Sequence, residues 1–482
     1  MGYNKTMDSF LIKSFNGGLS DYDDKGLSGG FAAGSYNLDI RRKVDSLKAQ
    51  QGLTNDLAPG TFSAAAPFIV NSADGSTYFA VGTKIYERNS SGSYSCQHTD
   101  TEGDGNINGL AEWVNDAGDT FIYYTTNTRL NRKRVLGTGY APGDHDDPWN
   151  DVNATVNGQT YPKTNLTAAT WHTMAVVNGC LLIANSNVLA KVGYDDSYTN
   201  NAVQLYPGNI VKTLIESGII AKIGANRSDD SENSMVYIWD TGDQNFTDKL
   251  QLPFADINAI IETEVGVVQF GDDGKLYFFG DTAKVPITAF PEGGQVDPGG
   301  VENDGGLALF GVYGNGDGYS GIYSYGRKRK NDNFTLNCEY QFNCDQIYAV
   351  KKIGSDIFFT YKDGSNYGVK KVDTSNKATA IYKSLVLKPP RKLQKAPVWS
   401  TVVLRMAALP AGTSVEVYRR IERGSWTQCN VEGGGTSYST AGGKEATFLV
   451  GDRGDFFELE IVLNCHGNSS PEVYEAQVFF QQ

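Results

Sequence analysis

The sequence is short of the residues that usually announce chemistry. Its four histidines, His98, His145, His172 and His466, lie far apart, and no Ser-His-Asp or HExxH arrangement appears among them. Its six cysteines, Cys96, Cys180, Cys338, Cys344, Cys429 and Cys465, are scattered over 482 residues without a CxxC pair. That spacing argues against a disulfide-stapled small fold and against a structural zinc site, and for buried free thiols. No apolar run approaches the length that spans a membrane, so no membrane insertion is expected. The segment Met1–Asp8 lacks the basic stretch and apolar core of a secretory signal. Gly2 and Thr6 fit the myristoylation pattern formally, but a match this short is treated as chance. Helix-period patterning is nearly absent; the best stretch, Ile40–Leu53, has no convincing cap. Positive charge is in the minority, 42 Lys and Arg against 55 Asp and Glu, a net −13. Such a chain is not expected to wrap nucleic acid with its whole surface, and solubility accounts for the charge. An acidic wall would also suit a DNA passage, because it repels phosphates and prevents sticking.

What is abundant is the material of strands and turns. Aromatics make up 12% of residues and there are 55 glycines, a composition of sheets and tight turns rather than helical bundles. One phrase recurs seven times between about residues 60 and 390: a short apolar run, a polar or glycine turn, then a second β-prone run. Clear copies are Tyr78–Val81 turning at Gly82 to Lys84–Arg88, and Val265–Phe270 turning through Gly271–Gly274 to Lys275–Phe279. The turns fall near Gly82, Asn127, Ser186, Asp229, Asp272, Asn315 and Gly364, roughly 43–59 residues apart, which is close to the period of a propeller blade. Asp-Gly and Asn-Gly turns suit hairpins because glycine accepts positive φ without strain. The sequence therefore predicts an all-β protein: a β-propeller of about seven blades over residues 58–388, preceded by an N-terminal arm over 1–57 and followed by a C-terminal β-sandwich over 389–482.

The boundary is read at Lys388-Pro389-Pro390-Arg391-Lys392, where two prolines in a basic stretch break any continuing sheet. Beyond it, Val402–Met406, Val415–Arg419, Ala446–Val450, Phe456–Leu463 and Glu475–Phe480 read as strands of a small antiparallel sandwich. In the N-terminal part, Leu38 and Ile40 alternate with Asn37, Asp39 and Arg41 as in a half-exposed strand. Such a strand would complete the last blade and close the ring, or form an arm that docks on a neighbouring subunit; both stay open. Residues 138–166 read as a long insertion on one propeller face, where contacts usually sit.

The candidate motifs are weak. Asp272-Asp273-Gly274 and Asp363-Gly364 are better explained as turns than as paired catalytic acids. A sialidase-type Asp box does not recur; Ser72–Tyr78 approximates it once with shifted spacing. Asp100–Asn106 has the first half of a calcium loop, but position 111, where the glutamate belongs, is Ala. Asp144, Asp146 and Asp147 form a second acidic cluster, and solvated loops account for both. Gly311–Gly318 is a glycine-rich turn, with no following helix and no Lys-Ser/Thr to make it a phosphate cradle. Arg327-Lys328-Arg329-Lys330 is the one basic cluster, read as a solvated loop, with contact to DNA or an acidic partner as the other reading. No catalytic, cofactor-binding or metal-ligating residue is predicted, and the expectation is a protein that is not an enzyme.

The segment Ser14-Phe15-Asn16-Gly17-Gly18-Leu19-Ser20-Asp21-Tyr22, continuing through Asn37-Leu38-Asp39-Ile40-Arg41 to Ala49-Gln50-Gln51-Gly52-Leu53, resembles the opening of tailed-bacteriophage structural proteins. The broader layout of arm, propeller and small β module resembles tail nozzle or stabilisation proteins. The resemblance implies a virion component made in the bacterial host cytoplasm, assembled as a ring, six-fold in such proteins, around the DNA exit path. Its implied partners are copies of itself, other tail or neck proteins and, in passing, DNA. The alternative is a receptor- or glycan-binding propeller at the tail tip, with aromatics such as Trp149 and Tyr161 stacking on sugars; a glycan-cleaving enzyme is the third reading.

Overall fold

Strands paired almost throughout in antiparallel fashion and joined by tight turns build the described chain, with parallel pairs only where Phe31–Tyr36 meets Gly18–Leu19 and Thr335–Gln341 among the described residues. The computed structural model describes residues 7–20, 31–41, 45–137, 154–156, 158–228, 233–253, 256–263, 266–271, 274–279, 284–290, 294–314, 319–327, 334–389 and 396–481. Among these there is no helix, and Ile40–Leu53 contains strand Leu47–Lys48 and the start of strand Gln51–Phe62 instead. The chain divides into two compact units: residues 55–320 with 343–371, and residues 1–54 with 321–342 and 372–482. These units do not follow the three consecutive stretches expected from the sequence.

The first unit is a seven-bladed β-propeller. Blade 1 runs through Phe68–Asn71, Thr77–Val81, Lys84–Arg88 and Tyr94–Thr99, and blade 2 through Gly109–Val114, Thr120–Thr125 and Leu130–Leu136. Blade 3 is Met174–Val177, Cys180–Asn185, Val188–Val192 and Tyr198–Gln204; blade 4 is Asn209–Ser217, Ile220–Arg227, Met235–Trp239 and Asp248–Gln251. Blade 5 is Ile257–Thr263, Gly266–Gly271, Lys275–Phe279 and Lys284–Ala289, and blade 6 places Val301–Asp304 and Leu307–Val312 in this unit. Blade 7 is Gln346–Ile353, Asp356–Asp363 and Asn366–Lys377, with Gln51–Phe62 as its outermost strand. The first strand of each blade touches the first strand of the next, and that of blade 7 returns to blade 1, so the ring is closed.

The seven repeated phrases are the second and third strands of the seven blades. The second strands of blades 1, 2 and 6 are buried on both sides along their length, because each blade packs between two others and does not show the one-sided alternation of a solvated sheet. Gly82 and Gly364 hold positive φ of 57° and 59° in their turns, a conformation side chains other than glycine resist. Of the other expected turn residues, Asp229, Asp272 and Asn315 lie outside the described residues.

Ring closure is achieved by an N-terminal strand, but by Gln51–Phe62 rather than by the stretch around Leu38 and Ile40. Leu38 instead makes a lone antiparallel bridge to Ala49. Phe62 at the end of the closing strand packs among Phe79, Tyr86 and Tyr94 of blade 1, with ring centroids 6.0, 5.0 and 6.0 Å away.

The second unit is the β-sandwich, and the N-terminal stretch is woven into it. One sheet is ordered Met7–Ile12, Glu472–Gln481, Val398–Met406, Glu445–Arg453, Asn430–Val431, with Leu47–Lys48 also on Glu472–Gln481. In the other, Phe31–Tyr36 pairs with Ala380–Ser384, which pairs with Phe457–Asn464, then Ser414–Ile421. The inner faces share one core, in which Phe15, Leu38, Leu47, Tyr382, Trp399, Phe448 and Phe457 are buried together. Of the two open readings of the N-terminal stretch, the arm docked on a neighbour does not describe Met7–Ile12, Phe31–Tyr36 and Leu47–Lys48, which are strands of the chain's own sheets. Arg41 is buried there on Ser324 Oγ at 2.7 Å and the Thr335 carbonyl at 2.8 Å, and pairs with Glu339. The propeller strands end at Lys377, and Ala380–Ser384 already belongs to the sandwich, so the change of unit precedes the expected Pro389-Pro390 boundary. Pro390 lies outside the described residues.

Candidate functional site

Two cavities of the propeller unit are the places where its side chains converge. The first lies on the ring axis. It holds about 420 Å³ and takes Val70, Leu110, Ala175, Leu214, Ile260, Val301 and Val350 from the innermost strands of blades 1 to 7 in turn. These strands present alternate residues to the axis, so a branched or small apolar side chain from each blade forms its wall. Glu112, Glu302 and Lys351 add charge to the lining. Lys351 Nζ lies 2.9 Å from Glu302 Oε2, and Glu112 accepts the Ala73 N–H at 2.8 Å, its pKa raised by burial.

The second cavity, about 370 Å³, opens between blades 3 and 4. Residues 168–171, leading into blade 3, supply one wall with Trp171. Ile210, Val211 and Lys212 from the start of blade 4, and Asn226 and Arg227 from the end of its second strand, supply the other. The geometry fixes these groups. Trp171 meets Phe68 edge-to-face at 5.8 Å and 80°. Lys212 Nζ sits 5.7 Å from the Trp171 ring centroid. Arg227 donates to the Pro207 carbonyl at 3.0 Å, while both ends of the Asn226 amide hold the backbone of Ile257 at 2.8 and 3.3 Å.

Burial lowers the pKa of Lys212, and Asp297 and Asp256 oppose that only through space. The Asp297 carboxylate is already committed: it accepts from Tyr313 Oη at 2.7 Å and Gln346 Nε2 at 2.8 Å, and burial raises its own pKa. Lys212 is therefore a half-buried ammonium without a carboxylate bonded to it, in a pocket that also holds an arginine and an indole.

The residues singled out from sequence are placed elsewhere. Tyr161, expected in an exposed loop for sugar stacking, is fully buried. It covers the Arg132 guanidinium at 4.3 Å, on the opposite side from Phe121 at 4.3 Å. Trp149, His145, the acidic cluster Asp144, Asp146 and Asp147, and Lys328 to Lys330 lie outside the described residues. Arg327 rests on the Phe334 ring at 4.8 Å. Asp104, from the half calcium loop, accepts from Thr126 Oγ1 and from the amide and hydroxyl of Thr128, all at 2.8–2.9 Å, and so ties down the central turn of blade 2. Among the described residues no group of three His, Cys, Asp or Glu is placed to hold a metal. All six cysteines are free, and only Cys338 and Cys429 are fully buried; Cys96 is exposed. His172 is buried, with its ring nitrogens 2.6 and 2.9 Å from the carbonyls of Ala184 and Asn127.

Trp171, Lys212 and Arg227 were not singled out from the sequence. The signal was a tryptophan in a polar loop just before a blade, but the two cations sit 41 and 56 residues later and meet it only through the propeller geometry.

No protein-family model matches the chain, and no curated protein matches it by sequence. Among solved structures the chain is similar to one described as "Crystal Structure of Mitotic Checkpoint Complex", with 11% identity and a TM-score of 0.48 over 67% of this chain and 93% of that one. It is also similar to "Structure of U3-55K", with 12% identity and a TM-score of 0.47 over 66% of this chain and 98% of that one.

Proposed function

We propose that the protein is a structural component of a bacteriophage tail, a nozzle, hub or adaptor subunit that assembles as a ring and frames the DNA ejection path without performing catalysis. The observation that carries this reading is the use made of the N-terminal stretch. The segment that resembles phage structural proteins supplies Met7–Ile12, Phe31–Tyr36 and Leu47–Lys48 to the sandwich and Gln51–Phe62 to the last blade. A chain whose opening residues brace both of its units is suited to bearing load in an assembly.

The axial cavity refines the proposal. At about 420 Å³ it is on the scale of a small-molecule pocket, too small to pass a duplex. The DNA path would run between copies, and each propeller would be a solid block in its wall. The net charge of −13 favours such a wall by repelling phosphates.

Native mass measurement and negative-stain imaging of the full chain test this reading. A closed ring of defined symmetry with a central opening is the expected result. A chain that stays monomeric alone and with the neighbouring virion proteins would overturn it. The second reading, a glycan-binding propeller at the tail tip, is favoured by one observation, the Trp171 pocket.

A further inference from the structure

We propose that the pocket between blades 3 and 4 binds a sugar that carries a carboxylate, a uronic-acid-type residue of a surface polysaccharide, with Lys212 and Arg227 on the carboxylate and Trp171 against the sugar ring. The proposal deepens the glycan-binding reading and rests on it. It does not depend on ring assembly, which is measured separately.

Three features of the pocket define the ligand. The first is charge. Two cations of blade 4 line a cavity whose lining contains no carboxylate among the described residues, and Asp297, which acts on Lys212 through space, is held by Tyr313 and Gln346. A half-buried ammonium without a bonded carboxylate favours an arriving anion, because the ligand restores part of the interaction with water that burial removed. Carboxylate suits this pair: the arginine offers a planar donor edge and the lysine a point charge.

The second is the flat apolar wall. Trp171 is held upright by its edge-to-face contact with Phe68, so its position is set before a ligand arrives. Ala168, Ala169 and Ile210 continue the apolar surface, and Ile210 is 39% exposed. An inorganic anion would leave that wall unused, whereas the C–H face of a pyranose would cover it, with the indole supplying a large, rigid contact area. The third is size. About 370 Å³ lies at the small end of ligand pockets and accommodates one or two sugar rings, with the Thr170 and Ser186 hydroxyls at hand for ring hydroxyls.

Titration calorimetry on the full-length chain at low salt tests the proposal with glucuronate, galacturonate and a short galacturonate oligomer. Methyl glucoside serves as the ring without charge, acetate as the charge without ring, and a glutamate-rich peptide as the competing source of carboxylate. The expected result is binding of at least one uronate probe, no binding of methyl glucoside, and acetate weaker by about tenfold or more. Lys212→Met and Trp171→Ala should each weaken uronate binding by about tenfold or more. To separate binding from folding, Ile210→Asp is the second variant: it places a negative charge at the exposed mouth and should abolish uronate binding with an unchanged melting temperature. Failure of every uronate probe, equal binding of acetate, tighter binding of the peptide, or undiminished binding by Ile210→Asp would each overturn the proposal. A chain that forms rings but binds no uronate refutes this inference and leaves the tail reading standing.

Discussion

Asp56 and Arg88 meet where the propeller ring closes, with Asp56 Oδ2 2.6 Å from Arg88 Nε and Oδ1 3.1 Å from the same guanidinium. Asp56 belongs to the closing strand of blade 7 and Arg88 to the third strand of blade 1. Lys371 of blade 7 adds its ammonium 2.9 Å from Asp56 Oδ1, and Tyr94 of blade 1 donates its hydroxyl at 2.8 Å. One carboxylate thus joins the closing strand to the blades on both sides of the seam, over the apolar cluster of Phe62, Phe79 and Phe358.

Replacing Asp56 by Ala should open this seam first. The change leaves Arg88 and Lys371 facing each other without an anion, and removing one partner from a buried pair costs about 3 kcal/mol or more. Hydrogen exchange should show the amides of Gln51–Phe62 losing protection before those of blades 3 and 4. Equal loss of protection throughout the ring would contradict the role of Asp56 as the closing contact.

The same carboxylate gives a pH dependence of known sign. Burial alone would raise the Asp56 pKa, but the hydrogen bonds from Arg88, Lys371 and Tyr94 outweigh it and hold the group below the usual carboxylate range. A depressed folded-state value contributes stability that is present above the unfolded value of about 3.9 and lost as pH falls through the folded one. The difference in urea midpoint between wild type and Asp56→Asn should therefore be constant from about pH 6 to 8 and shrink below about pH 4. A difference that grew on acidification would show the sign to be wrong.

Arg132 is a fully buried cation of blade 2. It lies between the Phe121 and Tyr161 rings, bonds Tyr123 Oη at 2.9 Å, and pairs with Asp196 at 2.6 Å with no exposure of its own side chain. Asp196→Ala removes the carboxylate 2.6 Å from this buried cation and should cost about 3–5 kcal/mol, whereas the double change Arg132→Met with Asp196→Leu should cost much less than the sum of the single changes. Additive single changes in denaturant unfolding would deny the coupling.

Gly299 has a requirement of a different kind. A β-carbon on it would fall 2.0 Å from the Pro67 carbonyl oxygen and 3.2 Å from that of Tyr348, where the chain leading into blade 6 approaches the starts of blades 1 and 7. Backbone cannot swing aside as a side chain does, so Gly299→Ala should lower stability by about 1–3 kcal/mol, as overpacking does. Gly354→Ala, which meets nothing within 4 Å although its φ is +62°, is the control for a purely conformational cost of about 1 kcal/mol. Equal effects of the two would remove the close approach as the cause.

The propeller was legible because its signal is local and repeated. Each second strand, turn and third strand of a blade is a hairpin of adjacent residues, as Tyr78–Val81 and Lys84–Arg88 show, and the strands of the sandwich were legible for the same reason. What could not be read were the pairings that join distant parts of the chain. Gln51–Phe62 lacks the apolar alternation that marks Leu38 and Ile40, so nothing local marks it as the partner of Asn366–Lys377, and its place is held by the seam contacts of Asp56 and Phe62. Tyr161 looked like an exposed loop aromatic because its sequence neighbours are polar, while its partners, Arg132 and Tyr123, come from blade 2. The Trp171 pocket escaped for the converse reason: its cations belong to strands that show only alternation.

Phe15 bears most directly on the reading of the N-terminal stretch as an arm docked on a neighbour, and it gives the last prediction. A free arm would leave this residue exposed until a neighbour covered it. Phe15 is instead 2% exposed and meets Tyr382 edge-to-face at 5.2 Å inside the sandwich core. Phe15→Ala should therefore destabilise the isolated chain by about 3–5 kcal/mol, the cost of emptying a buried aromatic site. The loss should appear at protein concentrations where no assembly forms, and should spread by hydrogen exchange to Ala380–Ser384 and Phe457–Asn464. A variant as stable as wild type when dilute, but deficient in assembly, would return the segment to the role of an intersubunit arm. Phe10, which stacks on Phe480 at 5.4 Å and Trp399 at 6.0 Å within its own sheet, should respond in the same direction when changed to Ala. Its effect should be smaller because it is only partly buried, and that ranking separates core packing from a general effect of altering the N-terminus.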